Sequence, residues 1–216
     1  MMRVRVLALA LVPLLAGVPM ILQSVLRAQA PSSLSRDQEI RLAKSAAPPG
    51  VSRGAQVYVL DHGRYVVAET GHTGVFCVLI QMPADGVEPE CGDAEADASV
   101  LAVERFRVEQ RVAGRSSADI KRAVDDAMAA GRLRAPRRPA LVYMMSSAQV
   151  LYDGDTKRLG KWEPHVMVFY PQLQNSDLAI PAGDPDIRVP GILDPGTPMS
   201  ALVVVTPSFV DPAPAQ

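Results

Sequence analysis

Apolar positions along this chain fall into short runs closed by proline and glycine. The densest is Val166 to Tyr170, within the segment Lys161 to Pro171. It is too short to cross a membrane and too apolar for an exposed loop, so it predicts a buried central strand. A second continuous run, Val75 to Ile80, predicts another central strand after the break at Gly71-His72-Thr73-Gly74. Gln56 to Leu60 and Tyr65 to Glu69 flank the polar turn Asp61-His62-Gly63-Arg64 and read as a hairpin. Leu141 to Met145 and Ala201 to Thr206 supply the remaining strands.

Helical periodicity accounts for three other stretches. Ser35 and Gln38 have capping-box spacing, which predicts a short helix through Ile40, Ala43 and Ala47, ended by Pro48-Pro49-Gly50. Val100 to Val112 places Leu101, Val108 and Val112 on one face before Gly114. Ser116 or Ser117 caps a third helix, in which Ile120, Ala123, Val124, Ala127 and Met128 recur at three-and-four spacing until Gly131. Its outer face of Lys121, Arg122, Asp125 and Asp126 reads as solvated. Pro83 to Ala98 is polar and rich in acids, proline and glycine, and predicts a loop that needs tying down. Asp153-Gly154-Asp155 predicts a turn, and Leu173 to Arg188 a proline-punctuated connection.

Runs of one element type, without strict alternation, imply an α+β fold. The expected architecture is an antiparallel or mixed central sheet with an N-terminal helix, a two-helix insertion and one disulfide. The expected organisation is a signal peptide or membrane anchor over 1–30, a helix and linker over 31–54, one domain over 55–209 and a disordered tail over 210–216.

Composition narrows the function classes. A formal net charge of −1 leaves no basic footprint for nucleic acid. Arg3 and Arg5 precede a nearly uncharged run from Val6 to Leu26, and Ala28-Gln29-Ala30 offers small residues for cleavage, the pattern of an export signal. That run also matches the roughly 20 residues of a membrane-spanning helix. Any membrane contact would therefore run through residues 6–26 of an uncleaved anchor, with the remainder exported in either case. In an oxidising compartment Cys77 and Cys91 admit one pairing, and closing a loop of about 15 residues contributes roughly 3 kcal/mol.

Candidate chemistry is sparse. No cofactor motif is present, and the histidines His62, His72 and His165 lack the spacing of a metal site such as HExxH. His62 in a turn and His72 between glycines read as surface residues. His165 stands at the mouth of a core strand, where a rigid sheet positions a titratable group, and is the candidate general base. Arg132, Arg134, Arg137 and Arg138 form the most basic patch. Guanidinium forks suit a phosphate or carboxylate, and a solvated connector is the simpler alternative. Ser146 and Ser147 leave the strand after this patch, without the glycines of a nucleophile elbow. A binding site would form where Arg137, Arg138, Ser146 and Ser147 meet His165. The enzymatic alternative is a hydrolase with His165 as general base, either metal-assisted or cysteine-dependent, the latter with Cys77 as nucleophile and Asn175 or Asp177 to orient His165. Against this, Cys77 lies inside an apolar strand, away from a helix N-terminus or cation that would activate it.

The segment GHTGVFCVLI with Cys91-Gly92-Asp93, the run RAPRRPALVYMMS and the run EPHVMVFYP resemble a family of exported bacterial proteins of unknown function. The resemblance spans roughly Ser45 to Phe209 and departs at His72-Thr73, where the family pattern has Thr-Asn. It implies that Cys77, Cys91, Tyr143, Met144, Pro164, His165 and Tyr170 occupy family positions, and it brings no activity. The function expected from the sequence is that of an exported binding or accessory module.

Overall fold

The computed structural model describes residues 34–83, 86–153, 156, 158–180 and 190–214. The export signal or anchor, residues 6–26 included, lies outside the described residues. Among the described residues no helix is long and apolar enough to cross a membrane.

The chain is α+β around one mixed sheet. Among the described residues there are ten strands: β1 (Gln56–Asp61), β2 (Arg64–Glu69), β3 (Phe76–Gln81), β4 (Val87–Gly92), β5 (Ala140–Met144), β6 (Leu151–Asp153), β7 (Arg158–Gly160), β8 (His165–Phe169), β9 (Gly191–Leu193) and β10 (Ala201–Val205). Eight of them form a sheet in the order β2-β1-β3-β4-β5-β8-β10-β9, and β6 and β7 make a separate hairpin. Only β1 and β3 run parallel within the large sheet. The helices are α1 (Arg36–Lys44), α2 (Pro49–Ser52), α3 (Ala94–Asp97), α4 (Val100–Val112) and α5 (Ser117–Ala129).

The β1–β2 hairpin turns through His62 and Gly63, both with positive φ, as a two-residue loop requires to match strand twist. Ser35 and Gln38 form the expected capping box on α1, and Ser116 caps α5. β3 is buried from Cys77 to Ile80 because both of its faces are covered. Ala43, Ala46 and Ala47 pack with Cys77, Leu79 and Cys91 on one side. Val100, Leu101 and Val108 of α4 pack with Val78, Val142 and Met144 on the other. The carboxylate of Glu39 accepts the Leu60 N–H and ties α1 to β1.

Cys77 and Cys91 are directly opposed on β3 and β4, bridged with their Cα atoms 4.1 Å apart. Val87 exchanges both backbone bonds with Val150, on the side of β4 away from β3. Alternate residues Pro89 and Cys91 therefore also turn their backbone polar groups away from β3, and their pairs are the close, non-hydrogen-bonded kind. The bridge is the mark of a non-cytoplasmic compartment.

Several expectations are corrected. The stretch Pro83 to Ala98 is not a loop, because it contains β4 and α3. Pro89 is tolerated within β4 because its missing N–H would face the gap between the Val87–Val150 bridge and the Cys91–Tyr143 pair. β8 is not buried on both faces: His165, Met167 and Phe169 are buried, Val166 and Val168 half-covered, and Tyr170 lies exposed beyond the strand. Helices cover only one half of that face of the sheet. Val112, assigned to a buried helix face, is exposed. Val210 and Asp211, assigned to a disordered tail, are held: the Val210 N–H donates to Met145 O, and Ser147 donates its hydroxyl to Asp211.

Candidate functional site

Strand periodicity decides which side chains reach the site. Pairing sets Glu88 opposite Ile80 and Glu90 opposite Val78, Gly92 opposite Val142, Val142 opposite Met167, and Met144 opposite His165. All of these share the face that α4 covers, since directly paired residues point the same way. Beside α4 the face is left open as a trough. β6, with Leu151 and Tyr152, and the loops carrying Trp162, Asp194 and Met199 wall its far side and enclose a cavity of about 250 Å³.

Four carboxyl groups line this cavity, Glu88 and Glu90 from β4, Glu104 from α4 and, at the exposed rim, Asp194. Glu104 is paired with Arg107 one helical turn on. Glu90 is 3% exposed, and its Oε2 has no hydrogen-bond partner among the described residues. Burial holds its proton well above the ordinary carboxyl range, and the neighbouring Glu88 and Glu104 push in the same direction. Burial likewise pushes Glu88 up to about 8, with Glu104 adding to it and Arg111 and Arg107 opposing. Glu104 is raised by burial too, against the pull of Arg107. The floor and walls are otherwise soft and apolar, with Met82, Met144, Met167 and Phe169 among them.

His165 stands where β8 begins, 3% exposed, on the same face. It also lines a second cavity with Trp162, Val203 and Val205. Its Nδ1 lies 2.7 Å from the Glu163 carbonyl oxygen, which can only accept, so Nδ1 carries the proton and Nε2 keeps its lone pair. Burial lowers its proton affinity and favours this neutral form. Gln149 braces the approach by donating from Nε2 to Trp162 O at 2.9 Å. The Trp162 ring, 51% exposed, sits 6.2 Å from the imidazole.

The structure does not bring the other sequence candidates to His165. The pairing of Ala140 with Phe169 and Met144 with His165 puts Arg137 and Arg138 beyond one end of β5 and His165 at the other, with the strand itself spanning about 13 Å between them. The arginine patch binds a carboxylate, but an internal one. Glu95 accepts from the Arg134 guanidinium and, at 2.8 Å, from the Arg137 N–H, and Arg138 Nε lies 3.4 Å from it. The hydrogen bond from Arg134 draws the Glu95 carboxyl down to about 2. Glu95 is shielded from water by these same arginines.

Ser146 is buried, its hydroxyl 2.6 Å from that of Ser45, and Ser147 is engaged by Asp211. Cys77 is in the disulfide, on the opposite face from His165, and supplies no thiolate. Asn175 and Asp177 follow the Phe169 end of β8, where Asp177 caps its own turn through the Gln174 N–H. The orienting partner of His165 is thus a backbone carbonyl and not a carboxylate. His62 and His72 lie at the surface. Among the described residues no group of three His, Cys, Asp or Glu side chains is placed to hold a metal ion.

Sequence reading missed Glu88, Glu90 and Glu104. The signal was there in the alternation Val87, Pro89, Cys91 against Glu88, Glu90, Gly92, a strand period hidden by its acids and proline. A larger open cleft of about 640 Å³ between α4 and α5 has a charged rim that includes the Asp119–Arg122 ion pair, and contains no buried unpartnered atom. It is a solvated groove. Compared with protein-family models, curated proteins and solved structures, the chain matches none.

Proposed function

We propose that the protein is an exported binding module whose ligand site is the cavity between α4, the sheet and the loops that carry Trp162 and Met199. One observation carries this reading: Glu90, on an interior strand of a covered face, keeps a carboxyl oxygen without a partner among the described residues at the wall of a cavity. A buried unpaired polar atom costs about 1–3 kcal/mol, which a ligand that satisfies it would recover. The export pattern, the disulfide and the resemblance to exported proteins of unknown function support a role outside the cytoplasmic membrane. Intact-mass measurement of the protein recovered from the periplasm tests the address, with loss of residues 1–30 and of two hydrogens from the cysteines expected.

The ligand site is tested with a neutral apolar fluorophore, N-phenyl-1-naphthylamine, excited by energy transfer from Trp162, the only tryptophan. Saturable transfer is expected, weakened at least tenfold by Leu193→Arg, a substitution at an exposed residue on the cavity rim that adds bulk and no second tryptophan. Failure of the probe to saturate, or indifference to the blocking residue, counts against the cavity.

A second reading rests on His165, which lines two cavities and keeps the Nε2 lone pair: a hydrolase using it as general base on a bound water. Under that reading His165→Ala abolishes turnover while Tm stays within a few degrees of wild type. A loss of stability alone assigns the histidine to the architecture.

A further inference from the structure

We infer that the cavity takes an organic ammonium, with the amine seated against Glu90 and Glu88 and its apolar stem lying along Met144, Met167 and Phe169. This deepens the ligand-site reading above and rests on it.

Charge balance is the first ground. Of the four carboxyls in the cavity, Glu104 has Arg107 as its partner and Asp194 is exposed at the rim, whereas Glu90 Oε2 is buried with no hydrogen-bond partner among the described residues, and Glu88 stands beside it on the same strand. Arg111 is turned to the Gln81 carbonyl and Arg105 to Asp97, so neither guanidinium is spent on β4. Glu88 and Glu90 alternate on one strand and face the same space, protonated while the cavity is empty; a cation seated between them favours loss of a proton from one of them to solvent, and an anion does not. An ammonium brings three donors and a positive charge, and meets both carboxyls at once. A hydroxyl brings one donor and no charge, so it does not stabilise the ionised form of either carboxyl.

The second ground is the unpartnered Oε2 of Glu90, nine-tenths and more buried and placed at the cavity wall. The third is the wall itself: Tyr152, Trp162 and Phe169 present aromatic rings to the same space, and such faces attract a desolvated cation. A volume of about 250 Å³ is small beside the roughly 300–1,000 Å³ of a drug-sized site, so the ligand is a ring or short chain with one head group.

The test is titration of the intact oxidised domain with benzylamine, benzyl alcohol and benzoate, isosteres that differ in head group, read by Trp162 fluorescence and by calorimetry. Benzylamine is expected to bind at least tenfold tighter than benzyl alcohol, with benzoate undetected. Glu90→Gln is expected to weaken benzylamine at least tenfold and leave benzyl alcohol unchanged, and Glu88→Gln gives the same readout where the Glu90 variant fails to fold. Equal binding of alcohol and amine, or indifference of amine affinity to both variants, overturns the cation assignment while the cavity stands as a ligand site. If no isostere binds and the neutral naphthylamine fails as well, both the assignment and the site fall.

Discussion

Glu90 and Glu95 stand five positions apart, are both almost fully buried, and meet opposite circumstances. Glu95 is met by Arg134, the Arg137 N–H and Arg138, and its proton is lost down to about 2. Glu90 is met by apolar side chains and by other acids, and holds its proton well above the usual range. The first carboxylate is architecture: it anchors the connector between α5 and β5 to α3. The second satisfies nothing in the described fold and opens on a cavity. Burial alone does not mark a site, but burial without a partner does.

The largest effect should come from the staple that holds β4 in register. Replacing both Cys77 and Cys91 by Ala should cost roughly 3 kcal/mol in urea unfolding, as expected for the loop it closes. Because Cys91 and Glu90 are consecutive, the variant should also loosen the cavity and lower amine affinity, while leaving the Glu95 cluster intact.

Next, Glu95→Gln should destabilise by about 2 kcal/mol, since it strips charge from three arginine contacts that are themselves partly exposed. A change below about 0.5 kcal/mol would erase the contrast drawn above.

The two carboxyls should also oppose each other in pH dependence. Glu88 is raised from 4.5 to about 8, and Glu90 and Glu104 move the same way. The folded state holds these protons more tightly than the unfolded chain. The stability they contribute is therefore complete below pH 4.5 and is lost as pH rises through about 8. The slope should reach about 1.4 kcal/mol per pH unit for each proton in excess. Glu95, lowered to about 2, contributes stability that is complete above pH 4.5 and lost as pH falls through about 2. Stability curves from pH 2 to 9 should show both limbs, the alkaline one flattened by Glu88→Gln with Glu90→Gln, the acid one by Glu95→Gln.

The smallest effect is the most discriminating. Glu90→Gln exchanges one neutral group for another of the same shape, so at pH 5 it should change stability by less than about 1 kcal/mol. At pH 9 it should stabilise, because it removes a carboxyl whose ionised form the unfolded chain favours and the buried site disfavours. Denaturant midpoints at the two pH values give the comparison.

Much of the frame was legible because it is written in periodicity. The α1 capping box, the His62-Gly63 hairpin, the α5 stripe and the pairing of Cys77 with Cys91 depend on neighbours close in sequence, as does the placing of His165 at a strand mouth. What escaped depends on distant partners. The anion for the arginine patch, Glu95, lies 39 residues before Arg134. The meeting of β4 with α4 that gathers three glutamates has no local signature. β6, β7 and β9, at three residues each, are too short to show a period. Glu88 and Glu90 were hidden by the rule that usually works, in which acids and proline mark solvent.

Infrared spectroscopy of the ligand-free protein at neutral pH addresses the central claim most directly, by looking for the stretching band of protonated carboxyl groups. The band is predicted in wild type, with part of its intensity lost in Glu90→Gln and none lost in Glu95→Gln. A wild-type spectrum without the band, or a band that survives Glu90→Gln undiminished, would contradict the assignment of Glu90 as a neutral acid held open for a ligand.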